Sequence, residues 1–330
     1  MIGAAFSGLA PGPAGSIPRL GLAGIPGRIP VGDWIERGVD WLLAHAGWLF
    51  DGILWGVGGL VAWIEAALLF PPAWVMALLL AGLGLWRVGW RFSWFVLAAL
   101  ALLVGLDLWF ATMATLALVL SATLVALAIG IPVGMWAARS DPVWNVVRPI
   151  LDFMQTMPAF VYLIPAVMFF STGKVPGAIA TMIFAMPPAV RLTNLGIRQV
   201  SREMIEAGLA FGCTPRQLLY KVQIPAAMPS IMAGVNQTIM LALSMVVIAS
   251  MIGSGGLGDV VLRGIQRLDV GLGFEGGIGV VVLAIILDRI TQSFGEGRRQ
   301  ESLWARLRAP FLPSRGAADN GAAQRTEGRR

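Results

Sequence analysis

The sequence predicts an all-α membrane protein with about seven transmembrane helices. Hydrophobic residues fill 57% of its 330 positions and charged residues only 13%, whereas soluble domains carry roughly 25% charged residues. The apolar residues also lie in long runs, and the stretch from Leu108 to Ala138 carries no charge at all. A helix of that length can cross the hydrocarbon core with some tilt, because about 20 residues suffice.

The composition also excludes several classes of function. The net charge of +6 comes from basic residues at the ends of apolar runs and in the C-terminal tail. They do not alternate with aromatic residues, so we expect lipid headgroups as partners and no nucleic acid. Cys213 is the only cysteine and His45 the only histidine. We therefore expect no internal disulfide, no metal site and no cofactor bound by this chain.

The N-terminal region divides into two segments. Residues 1–32 are rich in glycine and proline and predict a disordered tail. In residues 33–70 tryptophan recurs every seven residues, at Trp34, Trp41, Trp48 and Trp55, which places the four on one helix face. Acidic residues interrupt the segment at Asp33, Glu36, Asp40 and Asp51. The pattern predicts an amphipathic helix lying in the membrane interface, and a collar packed against the spans is the alternative.

The transmembrane domain is expected to cover residues 73–295. Its seven apolar runs lie at about 73–86, 92–106, 108–138, 149–172, 176–190, 230–252 and 273–290. The first run is shorter than the roughly 17 residues that a span usually needs. In the third run, Gly130 and Gly134 flank Pro132, and such a small-residue pair predicts close contact with another helix.

Charge placement predicts the orientation of these spans. If the spans alternate, most basic residues fall on one side, namely Arg87, Arg91, Arg139, Arg148, Arg191, Arg198, Arg202, Arg216, Lys221, Arg298 and Arg299. The positive-inside rule makes that side the cytoplasm. The N-terminus is then external, and residues 296–330 form a basic cytoplasmic tail.

A charged loop at about residues 196–229 interrupts the apolar runs. Its local signals predict two short helices joined by a turn, with Ser201 capping the first and Gly212 forming the turn. Thr214 and Gln217 have the spacing of a capping box, and Pro215 stands at the first helical position. Pro225 is expected to stop the second helix.

The residue pattern of this loop resembles the cytoplasmic loop motif of ABC importer permeases. In that motif EAA is followed by three residues, Gly, nine residues and I-x-L-P. Glu206, Ala207, Gly212 and Pro225 match the motif. Gly208, Val222 and Ile224 replace its second Ala, its Ile and its Leu. From about residue 107 to 295 the chain is similar to the permease subunits of glycine betaine and proline betaine importers, on runs such as DFMQTMPAFVYLIPA and PSIMAGVNQTIMLALSMVVIASMIG.

This resemblance implies a type I ABC importer permease core in the cell membrane. The loop would dock a separate ATPase, with Glu206, Ala207, Gly208, Gly212 and Pro225 as coupling residues. ATP would be bound and hydrolysed by that partner, so this chain would not be an enzyme. A permease homodimer and a separate external binding protein are also implied, with uptake of betaine-type osmoprotectants. Choline, carnitine or another quaternary amine is the alternative substrate.

Polar and glycine residues within the spans suggest further sites. Candidate pathway residues are Gln155, Thr156, Asn236, Gln237 and Ser244, although interhelical hydrogen bonding would explain them equally well. The run GSGGLG satisfies a dinucleotide fingerprint but lacks the strand and helix of that fold. We interpret its glycines as an external gate or hinge, at Gly253, Gly255, Gly256 and Gly258.

Two other functional classes compete with an ATP-driven permease. An ion-coupled secondary transporter would place ionisable residues near mid-membrane, whereas Asp152 and Asp288 lie near Arg148 and Arg289 at span ends. A scaffold or sensor would leave the docking motif unexplained. The chain has no P-loop, and its expected pathway spans show no aromatic cage for a quaternary ammonium.

Overall fold

The computed structural model describes residues 31–295, and the regular elements of this part of the chain are all helices. The helices are α1 (Val31–Leu69), α2 (Ala73–Arg87), α3 (Trp90–Gly105), α4 (Trp109–Arg139), α5 (Asp141–Thr156), α6 (Leu163–Phe170), α7 (Lys174–Arg198), α8 (Arg202–Ala210), α9 (Pro215–Leu218), α10 (Ile224–Ala249), α11 (Leu257–Arg267) and α12 (Val270–Gly295). A π turn (Leu219–Gln223) joins α9 to α10. The predicted tails are residues 1–32 and 296–330, and of these only Val31 and Gly32, at the start of α1, lie among the described residues.

The predicted amphipathic segment forms α1. The chain divides into two compact units between Trp48 and Leu49, within this helix. In the first unit the His45 ring stacks on the Trp41 indole, with ring centroids 4.8 Å apart. All four tryptophans of the predicted stripe are exposed. From Arg37 to Leu69 the helix is also long and apolar enough to cross a membrane, so the interfacial placement stays a prediction.

The number of spans differs from the seven predicted. Among the described residues, five helical segments are long and apolar enough to cross a membrane: Arg37–Leu69, Trp109–Arg139, Lys174–Arg198, Pro215–Ile252 and Val270–Phe294. A bent pair of helices would make six. The predicted first two spans form α2 and α3, which are shorter apolar helices. The count of seven is therefore not confirmed, although the multi-helix membrane fold is.

The expected single span at about residues 149–172 is broken in the structure. Helix α5 ends at Thr156, and the helical segment Ala159–Phe170 leaves it at an angle of 109°. Met157 takes an extended conformation with ψ of 134°, because the ring of the following Pro158 disfavours helical geometry at the preceding residue. The predicted span at this position is therefore a bent pair of helical segments, and whether it crosses the membrane as one span stays a prediction.

Helix α7 forms the centre of the fold, packed between α4 and α10. A Cβ placed on Gly130 would lie 3.0 Å from the Ala189 Cβ, and one on Gly134 would lie 2.7 Å from the Val190 carbonyl oxygen. The glycine pair therefore lets the two helix backbones approach, which confirms the predicted close contact.

Helix α12 runs back alongside α10. Asp288 on α12 accepts a hydrogen bond from Asn236 on α10. Nearer the start of α12, a Cβ on Gly279 would lie 2.8 Å from the Leu257 side chain. Leu257 begins α11, just beyond the end of α10. These contacts place the α11 region at one end of α10 and the predicted docking loop at the other.

Candidate functional site: the docking loop and the central helices

The turn of the docking loop forms around Gly212. Its φ of 78° lies in the left-handed region, which glycine adopts without strain. The Gly212 N–H donates to the Leu209 carbonyl at 2.9 Å, and the Cys213 N–H donates to the Gly208 carbonyl at 3.1 Å. This pair of bonds is the Schellman ending of a helix, and it satisfies two carbonyls that the end of α8 would leave open.

The second half of the loop begins with the predicted capping box. The Gln217 N–H donates to the Thr214 hydroxyl oxygen at 3.3 Å, and the Thr214 N–H donates to Gln217 Oε1 at 2.9 Å. Pro215 occupies the first turn, where its missing N–H leaves no bond unmade. The capping-box prediction is confirmed. Ser201 does occupy the cap position of α8, but its side chain makes no capping bond, so that part of the prediction was wrong.

Gly208 holds the two halves of the loop together. It is buried, and a Cβ at this position would lie 2.8 Å from Leu218 Cδ1 and 3.5 Å from Val222 Cγ2. The space that alanine takes in the usual motif is therefore filled here by side chains from the second half. Sequence reasoning noted the replacement and missed this packing, because it depends on contact between separate segments.

The loop presents exposed apolar side chains together with charged ones. Phe211 is 89% exposed, and Met204, Leu209 and Tyr220 are exposed as well. Glu206 and Ala207 also face outward, beside the exposed charged residues Arg202, Glu203, Arg216 and Lys221. Exposed apolar groups on a rigid turn with a polar rim are typical of a protein interaction surface.

Pro225 does not stop a helix, contrary to the prediction. Helical structure continues from Pro215 through Ala249. In the π turn before Pro225, the Ile224 N–H bonds the Leu219 carbonyl, five residues back. This looser turn accommodates a residue without an N–H, and π turns are a recognised site of such local adjustment. The second short helix of the loop is therefore the start of a long helix.

Among the pathway candidates, Asn236 belongs to an interhelical network. Its Nδ2 donates to Asp288 Oδ1 at 2.9 Å, and the Thr291 hydroxyl donates to its Oδ1 at 2.8 Å. Gln292 Nε2 donates to the same Asp288 oxygen at 2.7 Å. This geometry favours the interhelical alternative for Asn236. Sequence reasoning missed Asp288 as its partner, although a carboxylate within an apolar run was the available signal.

The remaining pathway candidates are exposed. Gln237 lines an open groove of about 510 Å³ between α10 and α12. Thr156 and Ser244 donate to carbonyls of their own helices, each at 3.0 Å. Gln155 is also exposed. The pathway role of these residues stays a prediction.

The glycine run after α10 forms a tight corner. Gly253, Gly255 and Gly256 have φ values of 81°, 76° and 77°. A Cβ on Gly256 would collide with the Thr115 hydroxyl, and one on Gly258 would lie 2.7 Å from the Val246 carbonyl oxygen. Thr115 Oγ1 also accepts a bond from the Leu257 N–H at 2.8 Å. The corner is therefore packed against α4 and α10, and its role as a gate or hinge stays a prediction.

Comparison with known proteins bears on the identity of the chain. A family model for the inner membrane component of binding-protein-dependent transport systems matches residues 130–300. The chain is 52% identical over 272 residues to the glycine betaine/proline betaine transport system permease protein ProW of Escherichia coli, covering 82% of this chain and 77% of that protein. It is 51% identical to the glycine betaine/carnitine transport permease protein GbuB of Listeria monocytogenes, covering 83% and 98%. It is 48% identical to the glycine betaine transport system permease protein OpuAB of Bacillus subtilis, covering 81% and 94%.

A solved structure shares the fold. A chain of the methionine ABC transporter MetNI, in an inward-facing conformation, superposes with a TM-score of 0.51 at 22% identity, covering 57% of this chain and 95% of that chain. The likeness supports the type I importer fold predicted from the loop motif. Together with the family match and the three relatives, the observations lead to one conclusion. This chain belongs to the family of inner-membrane components of binding-protein-dependent transport systems, and it is a multi-pass membrane permease.

Proposed function

We propose that this chain is the permease subunit of an ATP-driven importer for glycine betaine, proline betaine and related compatible solutes. The three relatives named above all carry glycine betaine in their names, and each is similar over at least 81% of this chain. Two of the names differ in the second solute, proline betaine or carnitine. Betaine is therefore the primary substrate, and carnitine or choline is the alternative.

The observation that carries the proposal is the well-defined local structure of the docking loop. A Schellman turn at Gly212, a capping box at Thr214 and the buried Gly208 hold Phe211 in an exposed position. An exposed aromatic side chain on a rigid turn is suited to anchor a protein partner. That partner is the ATPase, which binds and hydrolyses ATP for the transporter, with Glu206 and Gly212 in coupling roles.

The assembly contains two permease copies, an ATPase pair and an external binding protein. The docking loop faces the cytoplasm, where ATP is available, and the binding protein approaches the opposite side. The N-terminus is external and the C-terminus cytoplasmic, in line with the positive-inside rule. Surrounding lipids contact the exposed tryptophans and terminal arginines.

The structure disfavours the ion-coupled alternative. Asp152 pairs with Arg191, and Asp288 accepts bonds from Asn236 and Gln292. A carboxylate that carries protons or sodium through each cycle must change its partners or its charge, whereas both of these acids are already engaged in hydrogen bonds.

Reconstituted uptake tests the proposal directly. The permease is assembled in vesicles with the cognate ATPase and binding protein, and uptake of labelled glycine betaine, proline betaine, choline and histidine is compared. We expect ATP-dependent uptake of the betaines that requires the binding protein. Uptake driven by an ion gradient without ATP would refute the proposal.

The single cysteine offers a native probe of orientation. Cys213 is partly accessible and lies in the docking loop. We expect a membrane-impermeant thiol reagent to label it in inverted vesicles and not in intact cells. Labelling in intact cells would place the loop outside and contradict the proposed coupling to ATP.

A further inference from the structure

The short connection between α11 and α12 presents an unusual leucine. Leu268 has φ 55° and ψ 28°, in the left-handed region, and its side chain is 88% exposed. Ile265 and Val270 beside it are also exposed. We call residues 265–270 the α11–α12 tip.

Leu268 occupies a position that normally selects glycine. Its N–H donates to the Ile265 carbonyl at 3.2 Å, and the Asp269 N–H donates to the Gly264 carbonyl at 2.9 Å, which is the same helix ending that Gly212 forms in the docking loop. A side chain with a Cβ is disfavoured in the left-handed region. An exposed leucine gains no burial in return, so the fold of this chain alone does not explain its presence.

The direction in which the tip points is fixed by its neighbours. Asp269 Oδ1 accepts a bond from the Leu272 N–H at 3.1 Å, which caps the start of α12. A Cβ on Gly264 would lie 2.5 Å from Gly273 Cα, so α11 and α12 cross in close contact next to the tip. The backbone that carries the leucine is therefore held in one conformation.

The tip lies on the side of α10 that is remote from the docking loop. Gly279 packs against Leu257 at the start of α11, and the neighbouring Gly258 packs against Val246 and Val247, two to three residues before α10 ends at Ala249. Helix α12 extends from Gly279 to Val270, about 14 Å further in the same direction at 1.5 Å per residue. The tip therefore projects beyond the end of α10 that is remote from the docking loop.

The charged side chains near the tip differ in their partners. Arg263 pairs with Asp259 at 3.0 Å, and the Asp269 carboxylate caps α12. Arg267 is exposed and lies next to Leu268 in the chain. The tip thus presents an exposed apolar side chain and, one residue earlier in the chain, an exposed cation, and it fits a partner surface that offers both an apolar pocket and a carboxylate.

We propose that the α11–α12 tip is a contact surface for the external binding protein. The inference rests on the proposed function, in which the ATPase occupies the docking loop and the binding protein approaches the opposite side. A lipid surface fits less well, because acyl chains accept a leucine in any orientation and give no reason for a left-handed backbone. A folded protein with a shaped pocket does give that reason.

The test compares three substitutions at Leu268 in the complete permease–ATPase complex in lipid nanodiscs and vesicles. Leu268→Gly removes the side chain and the backbone strain, Leu268→Asn tolerates the left-handed conformation but is polar, and Leu268→Met keeps an apolar side chain. The binding protein of the same system, loaded with glycine betaine, is titrated. Equilibrium binding to nanodiscs and uptake into vesicles are both measured, together with the thermal midpoint.

We expect Leu268→Gly and Leu268→Asn to weaken binding of the binding protein by about tenfold, the effect of removing an anchor of moderate strength. Leu268→Met should stay within about threefold of wild type. The thermal midpoint of Leu268→Gly should be unchanged or higher, because the strain is relieved. Partner binding would then weaken without any loss of stability, which a purely structural role cannot produce.

Several results would overturn this inference. Unchanged binding by Leu268→Gly would remove the tip from the interface. Loss of the permease dimer in that variant would assign the tip to a second copy of the chain, and an effect that follows lipid composition alone would assign it to the bilayer. Failure of the wild-type complex to import betaine would instead refute the proposed function, while the nanodisc measurement would still test binding at the tip.

Discussion

Replacing Gly212 by valine tests the docking loop most directly. Gly212 has a φ of 78°, and nothing lies within 4 Å of the position that a Cβ would occupy. A steric clash is therefore not expected, and the penalty arises from the backbone alone. A β-branched residue in the left-handed region costs roughly 1 to 3 kcal/mol. If the turn relaxes to avoid this strain, the Schellman bonds of Gly212 and Cys213 are lost, and the exposed Phe211 changes direction.

The expected consequence is loss of coupling without loss of the membrane fold. Within that range, a penalty of 1 to 2 kcal/mol lowers the equilibrium ratio of the native turn to relaxed turns by a factor of about 5 to 30. We therefore expect Gly212→Val to insert into the membrane normally, to retain little ATPase in a detergent pull-down and to lose most ATP-driven uptake. Gly212→Asn is the matched control, since asparagine tolerates the left-handed conformation, and it should retain both activities. Full ATPase binding and full uptake by Gly212→Val would refute the coupling role of this turn.

Three further comparisons of variants separate structural from functional roles. Thr115→Val should lower the free energy of unfolding by about 1 to 3 kcal/mol, because it leaves the buried Leu257 N–H without an acceptor. Thr112→Val, which removes a bond to a carbonyl of its own helix, should have a smaller effect, and equal thermal midpoints would contradict this assignment. Asn236→Leu should lower the thermal midpoint, because it breaks the network with α12 and so lowers the free energy of unfolding by roughly 1 to 2 kcal/mol. Gln237→Leu should leave the thermal midpoint unchanged. Reduced uptake only in the Gln237 variant would support a pathway role for Gln237. Gly208→Ala should weaken ATPase retention by less than Gly212→Val, because the leucine side chain that it meets can shift, and complete loss of the ATPase would show that the packing is more rigid than described.

The features that sequence reasoning predicted correctly depend on nearby residues. The capping box of Thr214 and Gln217 and the turn at Gly212 are fixed by bonds within a few positions. The close contact at Gly130 and Gly134 was also predictable, because small residues one turn apart have a known use in membrane helices. Its partner on α7 was not, since nothing in either helix specifies the other.

The features that sequence reasoning missed depend on competition between local rules and the surrounding fold. The helix breaks before Pro158 and continues through Pro225, although both prolines lack an N–H. The difference is the π turn before Pro225, which absorbs the missing bond. The partnership of Asn236 with Asp288, 52 positions away, likewise requires the packing of α12 on α10, and periodicity alone does not provide that register.

The unbroken helical run from Pro215 to Ile252 has a mechanical consequence. Its 38 residues give a path of about 57 Å at 1.5 Å per residue. Because no loop interrupts the run, a displacement of its end at the docking loop rotates the whole helical run and moves the glycine corner at the other end. A tilt of roughly 5° about one end would move the other by about 5 Å, which is close to one helical turn. The π turn is a looser point in this helical run and lies beside the docking loop, so it can change the angle between the loop and the rest of the helix.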